Sequence, residues 1–402
     1  MTKKPSYRFT DYDEPWSEKK LGELADIVRG ASPRPIQDSK WFDKESDVGW
    51  LRISDVTEQD GRIYKLEQRI SKLGQAKTRV LFEPHLLLSI AATVGKPVVN
   101  YVKTGVHDGF LIFLAPRFDQ EFLFQWLDMF RPQWQKYGQP GSQVNLNSDI
   151  VKNQAISLPS LPEQTAIGFF FQNIDQLISL QQRKLEVLKE QKKTYLKLLF
   201  PAKGQTKPAL RLAGFEDEWK EVKLGEILVE RNEQISESEE YQLMSFVQGK
   251  GVVPKSDRYD RSFLVKDDKK NYKKTEYGDF IYSSNNLDTG SIGFNKTGKA
   301  LISPVYSIFY SKTKKESQFI AILSQRKEFI NEMIKYRQGV VYGQFRIHES
   351  DFLNIKILAP ESNEQEFLIT FFQDLDKAIA KQEEKVNQLK ESKQTLLRKM
   401  FI

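Results

Sequence analysis

The chain has 402 residues, 39% of them hydrophobic and 12% aromatic, and its 61 basic and 54 acidic side chains give a net charge of +7. This length predicts two domains or slightly more, and the composition is that of a folded protein. The chain contains no cysteine, which excludes disulfides, thiolate zinc sites, iron–sulfur clusters and a cysteine nucleophile. Its three histidines, His85, His107 and His348, are too few to favour a histidine-rich metal site.

The N-terminus, "MTKKPSYRFTDYDEPW", is polar, and the longest apolar run, around "HLLLSIAATV", is far shorter than a membrane span. We therefore expect a cytoplasmic protein with no membrane partner. The modest excess of positive charge is compatible with a polyanionic partner but does not require one.

The first half of the chain begins with a predicted entry strand in "RFTDYDEPWSEKKLGEL", residues 8–24. Short β-rich runs broken by Gly, Asn, Asp and Pro follow, and a predicted helix, "QEFLFQWLDMF", leads into "KYGQPGSQ". This order is typical of a small mixed domain dominated by strands and loops. The domain ends at "LPSLPEQTAIG", where a long amphipathic helix begins.

The second half repeats these elements in the same order, which indicates a tandem duplication. "RLAGFEDEWKEVKLGEI", residues 211–227, parallels the entry strand, and "SQFIAILSQRKEFINEMI" leads into "KYRQGVVYGQ". The long helices match without a gap, with Asp175 over Asp376. The segments between these landmarks differ, so the two domains share a frame but not the parts that would face a ligand. We divide the chain into residues 1–160 (first domain), 161–203 (first spacer helix), 204–361 (second domain) and 362–402 (second spacer helix).

Both long helices carry a seam of residues at alternating steps of four and three, a period that specifies a coiled coil. The seam positions are Ile167, Phe171, Ile174, Ile178, Gln181, Leu185 and Leu188 in the first copy, and Leu368, Phe372, Leu375, Ile379, Gln382, Val386 and Leu389 in the second. A helix this long needs a partner along its whole seam, and the other copy matches its length and period. Two core helices of independent domains are the alternative.

The polar seam positions predict the orientation of the helices. Parallel helices in register would bring Lys192 against Lys393 in a partly desolvated layer. An antiparallel pair instead places Lys192 opposite Leu375 and Lys393 opposite Ile174. The predicted fold is α+β: two mixed α/β domains joined by an antiparallel coiled coil with approximate two-fold symmetry. At ~1.5 Å per residue, this spacer would hold domains at its opposite ends roughly 50 Å apart.

A Trp-x-x-x-Lys-Leu-Gly-Glu entry, a strand ending in "LPSLPEQTAIG", a long helix and the repetition of this whole order resemble the specificity subunit of type I restriction-modification systems. The resemblance covers essentially the full chain. The second copy, "APESNEQEFL", departs from the motif at the prolines but keeps Pro360 and the pair Glu364 and Gln365.

The resemblance implies two target recognition domains, each reading half of a bipartite site in double-stranded DNA. It implies that the paired helices set the half-site spacing and bind two methyltransferase subunits. S-adenosylmethionine would belong to the methyltransferase subunits, and ATP and Mg²⁺ to restriction and translocase subunits, which leaves this chain with no catalytic residue, cofactor or metal. The lack of any Pro-Pro dipeptide agrees, since an adenine methyltransferase needs an Asn/Asp-Pro-Pro-aromatic loop.

Reading DNA requires cations for phosphates and Arg, Lys, Asn or Gln for base edges. In the first domain the candidates are Arg29, Ser32, Arg34, Arg52, Lys96, Tyr137, Gln139, Ser142 and Gln143. In the second they are Lys250, Arg258, Arg261, Asn285, Asn286, Lys296, Arg337, Gln338, Tyr342, Gln344 and Arg346. For each residue the alternative is an ordinary solvated side chain. Phe169, Phe170 and Leu177 lie off the seam and are candidates for contact with a partner subunit.

Two other functions stay open from the sequence. A non-catalytic coiled-coil scaffold with protein-binding end domains would have the same helices. A nucleotide-dependent enzyme would use "GFNKTGKA", residues 293–300, as a phosphate loop, but Ala300 stands where that motif needs a hydroxyl, and a β-turn explains the same letters.

Overall fold

The computed structural model describes residues 5–137, 146–247, 250–254, 271–287, 291–311, 313, 315–340 and 344–401. The chain forms two compact units, the first made of residues 1–182 and 384–402 and the second of residues 183–383. Each long helix therefore contributes one part to each unit. In the part of the chain that is described, no helix combines the length and the apolar character that crossing a membrane requires.

The first half of the chain contains ten strands and six helices among its described residues. The strands are β1 (Ser17–Lys20), β2 (Asp26–Arg29), β3 (Gly49–Trp50), β4 (Arg62–Ile63), β5 (Arg79–Leu81), β6 (Leu86–Ser89), β7 (Pro97–Asn100), β8 (Thr104–Val106), β9 (Phe110–Leu114) and β10 (Ala155–Leu158). The helices are α1 (Leu21–Leu24), α2 (Ile53–Glu58), α3 (Lys72–Gln75), α4 (Gln120–Phe130), α5 (Ser148–Asn153) and α6 (Leu161–Leu198), with 3₁₀ helices at Ser39–Trp41 and Arg131–Tyr137.

The second half begins and ends with the same elements, an entry strand with a short helix and a final strand before the long helix, but it has more strands between them. The strands are β11 (Lys220–Lys223), β12 (Val229–Glu230), β13 (Gln234–Ile235), β14 (Met244–Val247), β15 (Gly251–Pro254), β16 (Tyr272–Thr275), β17 (Phe280–Tyr282), β18 (Ile292–Phe294), β19 (Ala300–Ile302), β20 (Ser307–Tyr310), β21 (Gln338–Val340), β22 (Gln344–Arg346) and β23 (Lys356–Ala359). The helices are α7 (Leu224–Ile227), α8 (Lys315–Leu323), α9 (Lys327–Ile334), α10 (Glu349–Leu353) and α11 (Ser362–Met400), with a 3₁₀ helix at Ser284–Asn286.

The first unit is built on a five-stranded sheet in the order β2-β9-β6-β7-β4. Its inner strands β6 and β7 are wholly buried, as their nearly continuous apolar sequences require. Alternate side chains of β6 enter different cores: Leu86 and Leu88 pack in the cluster that contains Phe122 of α4, whereas Leu87 packs with Val56 of α2. Helices therefore cover both faces of this sheet, and the loops at its edges are placed to contact a ligand.

The second unit holds a four-stranded sheet, β12-β20-β17-β18, and a three-stranded sheet, β13-β16-β19. Aromatic side chains fill its main core. The ring of Phe352 in α10 lies 5.8 Å from that of Phe280 and 4.7 Å from that of Phe309, measured between centroids. Phe319 of α8 and Phe372 of α11 belong to the same cluster.

The repeated entry strand and the repeated helix start meet in the same way in each unit. β1 pairs with β10, and β11 pairs with β23, both antiparallel. The matched arginines then bind the matched glutamates: Arg8 Nε lies 2.7 Å from Glu163 Oε1, and Arg211 Nε lies 2.8 Å from Glu364 Oε1. The glutamate bond raises the pKa of each guanidinium. The duplicated sequence therefore encodes a duplicated ion pair that fastens each long helix to its domain.

The glutamine that follows each glutamate closes the first helical turn. Gln164 Nε2 donates to the carbonyl of Pro159, and Gln365 Nε2 donates to that of Pro360, both at 2.9 Å. This bond holds the proline turn that ends each domain against the helix it precedes. The repeated Pro, Glu and Gln positions thus have a structural reason in both copies.

The long helices run antiparallel within each unit, as predicted. In the first unit Phe171 stacks on Phe401 at 5.9 Å, and Lys393 Nζ lies 2.6 Å from Asp175 Oδ1. Along the chain, α6 thus meets residues of α11 in descending order. The second unit shows the same order, with Lys192 Nζ 2.6 Å from Asp376 Oδ1 and the ring of Tyr195 5.1 Å from that of Phe371.

None of the predicted seam residues is exposed. The buried ones are Ile167, Phe171, Leu185, Leu368, Phe372, Gln382 and Val386, and the half-buried ones are Ile174, Ile178, Gln181, Leu188, Leu375, Ile379 and Leu389. Half-burial follows from the two-stranded coil, because a seam shared by two helices leaves its edges open to solvent.

Candidate nucleic-acid interface

Three of the predicted first-domain residues converge on Asp108. Ser32 Oγ donates to its Oδ1 at 2.8 Å, Arg34 Nη2 donates to its Oδ2 at 2.7 Å, and Arg29 Nε donates to its backbone carbonyl at 2.6 Å. Because β2 pairs antiparallel with β9, the end of the first strand and the start of the second lie at one edge of the sheet. We call Arg29, Ser32, Arg34 and Asp108 the Asp108 cluster.

The Asp108 cluster carries a net positive charge. Burial would raise the pKa of Asp108, but the Ser32 hydrogen bond and the charges of Arg34 and Arg29 outweigh burial and hold this pKa below its ordinary value. The carboxylate is therefore ionised at neutral pH and faces two guanidinium groups. The Arg34 side chain is 76% exposed, and one hydrogen bond uses one of its five donors. The others are available to a phosphate or a base edge.

Arg79 in β5 joins this edge of the sheet, although no motif in the sequence singles it out. Its Nε donates to the carbonyl of Arg29 at 2.8 Å, and its side chain is exposed. His107 lies at the turn before β9, where Gly109 N donates to His107 Nδ1 at 2.9 Å. Burial lowers the pKa of His107, so its ring is neutral at physiological pH.

Lys96, one of the candidate DNA contacts, is engaged inside the first unit. Its Nζ lies 2.6 Å from Asp60 Oδ1 and 3.4 Å from Asp128 Oδ1, and its side chain is 14% exposed. Burial lowers the pKa of this ammonium, but the two carboxylates more than compensate and the net pKa is raised. The Lys96 ammonium thus links the loop before β4, which contains Asp60, to helix α4, which contains Asp128.

Arg52 and Tyr137 also have structural partners. Arg52 Nη2 lies 2.8 Å from Asp55 Oδ1 at the start of α2. The Tyr137 hydroxyl donates to Gln154 Oε1 at 3.5 Å, and its ring lies 6.0 Å from that of Trp134. Neither residue has a contact with the Asp108 cluster among the described interactions.

The second unit gathers its candidates at a hairpin, β21–β22, in which Gln338 pairs with Arg346. Asn285 Oδ1 accepts a hydrogen bond from the Phe345 amide at 2.5 Å, which docks the 3₁₀ turn on the hairpin. The Arg337 guanidinium lies 4.9 Å from the centroid of the Phe345 ring. The hairpin cluster consists of Asn285, Asn286, Arg337, Gln338, Gln344 and Arg346. Its amide and guanidinium groups are those that recognise base edges.

Lys250 and Lys296 lie elsewhere in the second unit, at a cleft of about 900 Å³ beside the long helices. The residues that line this cleft include the apolar Phe294 and Phe372. Lys296 Nζ lies 5.1 Å from the Phe294 ring centroid and 3.9 Å from Asp376 Oδ2. These two lysines are therefore separate from the hairpin cluster.

Six predicted contacts lie outside the described residues: Gln139, Ser142, Gln143, Arg258, Arg261 and Tyr342. They remain predictions.

Residues 13–190 match the family model "Type I restriction modification DNA specificity domain". This stretch runs from the entry strand through most of α6, and the second half of the chain repeats its elements. The first half of the chain therefore matches a type I restriction-modification DNA specificity domain. The resemblance drawn from the entry motif and the paired helices is therefore confirmed.

The matched relatives agree with this assignment. The chain is 26% identical over 210 residues to the type I restriction enzyme MjaVIII specificity subunit of Methanocaldococcus jannaschii. That match covers 48% of this chain and 47% of the relative, so it spans about half the length of the relative.

Two solved structures are similar in fold to this chain over nearly its full length. The S subunit of a type I restriction-modification system from M. genitalium has a TM-score of 0.64 at 15% identity, over 100% of this chain and 99% of that one. A chain from a structure on complex assembly and conformational transition of the type I R-M system has a TM-score of 0.53 at 17% identity, over 97% of this chain and 98% of that one.

The segment that mimics a phosphate loop is a short loop between two strands, and it does not lead into a helix. It joins β18 to β19, whereas a phosphate loop leads from a strand into a helix. Asn295 Oδ1 already accepts hydrogen bonds from the amides of Thr297 (2.9 Å) and Gly298 (3.1 Å). Lys299 forms an ion pair with Glu240. The backbone amides and the ammonium that would bind phosphate are therefore occupied within the domain.

The seam lysines of the long helices are neutralised by aspartates that we had not assigned a role. Sequence reasoning placed Lys192 opposite Leu375 and Lys393 opposite Ile174. The actual partners are the next residues along, Asp376 and Asp175, each at 2.6 Å. The signal was present in the sequence, because both the lysine and the aspartate occupy matched positions in the two copies.

Proposed function

We propose that this chain is the DNA-sequence specificity subunit of a type I restriction-modification complex. Each domain reads one half of a bipartite site in double-stranded DNA, and the paired helices set the distance between the half-sites. Two methyltransferase subunits bind the helices and carry S-adenosylmethionine, and restriction and translocase subunits carry ATP and Mg²⁺. The chain itself is non-catalytic and works in the cytoplasm.

The observation that supports this proposal most strongly is that the two domains share the same contacts to the long helices, which we call the frame, but present different polar surfaces. The frame is the ion pair of Arg8 with Glu163, repeated by Arg211 with Glu364. The surfaces are the Asp108 cluster and the hairpin cluster, which are built from different strands and different residue types. One frame that presents two different surfaces is suited to reading two different half-sites.

DNA recognition is tested with the full complex, reconstituted with its methyltransferase partner. Binding to a library of random duplexes is measured across a salt series, and methylated adenines are mapped on genomic DNA. We expect one bipartite sequence to be selected and the binding constant to fall steeply with salt, by a log–log slope of about −0.9 per phosphate neutralised. A scaffold with protein-binding domains would show neither selection nor a salt-dependent preference.

The spacer role is tested by inserting one heptad at matched positions of α6 and α11. Seven residues lengthen a helix by about 10 Å, or roughly three base pairs of DNA. We expect the gap between half-sites to grow while both half-site sequences stay unchanged. A complex that keeps its original gap would contradict the spacer role without affecting the assignment of the reading surfaces.

A further inference from the structure

Asp175, in α6, joins elements of the first unit that are far apart in sequence. Its Oδ1 lies 2.6 Å from Lys393 Nζ of α11. Its Oδ2 accepts hydrogen bonds from Gln125 Nε2 of α4 at 2.7 Å and from Arg62 Nη2 of β4 at 3.1 Å. One carboxylate thus connects both long helices to the first domain.

Arg62 is the domain's main contribution to this connection. Its Nη1 donates to Glu121 Oε2 at 2.8 Å and to the Tyr101 hydroxyl at 3.2 Å, and its guanidinium lies 4.4 Å from the centroid of the Phe124 ring. The Arg62 side chain is 15% exposed. Burial lowers its pKa, but Glu121 and Asp175 outweigh burial and raise it. The guanidinium is therefore charged at all working pH values.

The charges of this network balance within the first unit. The carboxylates of Glu121 and Asp175 face the cations of Arg62 and Lys393, so no charge is left uncompensated. Removing one member of such a largely buried set leaves another without its partner, which is more costly than losing a surface ion pair. We call Asp175, Arg62, Gln125, Glu121 and Lys393 the Asp175 network.

The matched position in the second unit, Asp376, makes only half of these contacts among the described residues. It forms the interhelical ion pair with Lys192 at 2.6 Å. On the domain side, Lys296 stands 3.9 Å away across the open cleft, and its side chain is 48% exposed. No guanidinium takes the place of Arg62 in the described part of this unit. Gln373, three residues before, bonds Gln318 of α8 at 3.1 Å.

We infer that Asp175 is a positioning residue that fixes the first recognition domain on the paired helices, and that Asp376 does not do this for the second domain. This inference rests on the proposed function, because the consequence of the geometry is a fixed spacing between half-sites. The same interhelical ion pair occurs in both units. Only the domain-side contacts distinguish them.

Two charge swaps separate the interhelical role from the domain-positioning role. Asp175→Lys with Lys393→Asp restores an ion pair between the helices but places an ammonium beside the Arg62 guanidinium, where Asp175 had placed a carboxylate. Asp376→Lys with Lys192→Asp also restores the helix pair, and the half-exposed Lys296 can turn into solvent. Arg62→Gln provides a third variant, which removes the charged domain contact of Asp175 and leaves the Gln125 hydrogen bond and the interhelical pair intact.

The readout is discrimination between DNA duplexes whose half-sites are separated by the native gap or by a gap one base pair longer or shorter. It is measured as relative binding by the complex with methyltransferase. We expect the swap at Asp175 and Arg62→Gln each to lower this discrimination about tenfold, the scale of coupling between contacting residues. The swap at Asp376 should stay within about twofold of the wild type.

The thermal midpoint of the isolated full chain is recorded for every variant, because a purely structural role would change stability and leave spacing discrimination intact. If the swap at Asp175 does not fold, Arg62→Gln still decides the question. Equal discrimination by Arg62→Gln and the wild type, or equal losses from both swaps, would overturn the inference. A wild-type complex with no sequence or spacing preference would instead refute the proposed function.

Discussion

The two units use the same joint between domain and helix but differ in how that joint is reinforced. Glu163 binds Arg8 and also accepts a hydrogen bond from Trp16 Nε1 at 3.3 Å. Glu364 binds Arg211, yet the matched nitrogen, Trp219 Nε1, has no hydrogen-bond partner among the described residues. Asp175 adds a second anchor to the first unit that Asp376 lacks.

This difference teaches that duplication preserved the parts that hold the helices and allowed the domains to diverge. The entry strand, the glutamate and the seam aspartate occupy matched positions in the two copies. In each copy they contact equivalent partners within their own unit. The loops between these landmarks have no such constraint, and the Asp108 cluster and the hairpin cluster share no residue pattern. Beyond the matched arginine–glutamate pair, the first domain adds the largely buried Arg62–Asp175 contact, whereas the second adds the more exposed pairs Lys315–Glu366 and Lys296–Asp376.

The largest expected effect is at the joint itself. Glu163→Ala leaves Arg8 and Trp16 Nε1 without their acceptor, and we expect a loss of about 3 kcal/mol in local stability because a buried acceptor is removed from a charged donor. Glu364→Ala should cost about 1 kcal/mol less, since no tryptophan bond is lost. Hydrogen exchange of β1–β10 and β11–β23 measures each joint separately.

The matched substitutions Glu163→Gln and Glu364→Gln keep an acceptor and should each cost less than the alanine variants. Equal losses at the two joints would contradict the reinforcement of the first one by Trp16.

An effect of intermediate size is expected from substitution of two exposed arginines, Arg34 in the Asp108 cluster and Arg346 in the hairpin cluster. Arg34→Gln should weaken selection at one half-site and Arg346→Gln at the other, each by about 1 to 3 kcal/mol if the guanidinium contacts a base pair. Selection of randomised half-sites by the full complex measures both. The side-chain exposures provide matched controls, since Lys65 (77%) resembles Arg34 (76%), and Lys356 and Arg346 are both 56% exposed.

Lys65→Gln and Lys356→Gln remove the same charge and should leave both half-site sequences unchanged. A change at the same half-site from both arginine variants would show that the two surfaces do not read separately.

The smallest effect concerns the pH dependence of the Asp108 cluster. Because the pKa of Asp108 is below its ordinary value of 3.8 in the folded chain, its contribution to stability is present above pH 3.8 and is lost as the pH falls through the folded pKa. The group is partly exposed, so we expect about 0.5 kcal/mol after solvent screening. Asp108→Asn should flatten this part of the acid unfolding curve. A variant curve parallel to that of the wild type would contradict the assignment.

The sequence was sufficient for the fold class, the duplication and the orientation of the helices. Two lysines at matched seam positions could not face each other, and the antiparallel arrangement followed from that repulsion alone. Reading surfaces were harder to predict. Arg34 was chosen from its Pro-, Gly- and Ser-rich context, but Asp108, which it contacts, comes just before β9, far away in the sequence, and Arg79 has no local signal.

Lys96 shows why a favourable local context is not enough. Glycine in the preceding position suggested an exposed turn, yet Asp60 and Asp128 surround the ammonium in the folded domain. A charged side chain is placed by all its neighbours, and those neighbours come from separate parts of the chain.

The sequence by itself determined which segments are equivalent and which faces are apolar, because periodicity and repetition are local properties of the chain. Tertiary structure alone decided that Asp175 accepts a hydrogen bond from Arg62, whereas Asp376 lines an open cleft. The physical reason is that ion pairs form between groups brought together by packing, and packing depends on the domain residues in which the two copies differ.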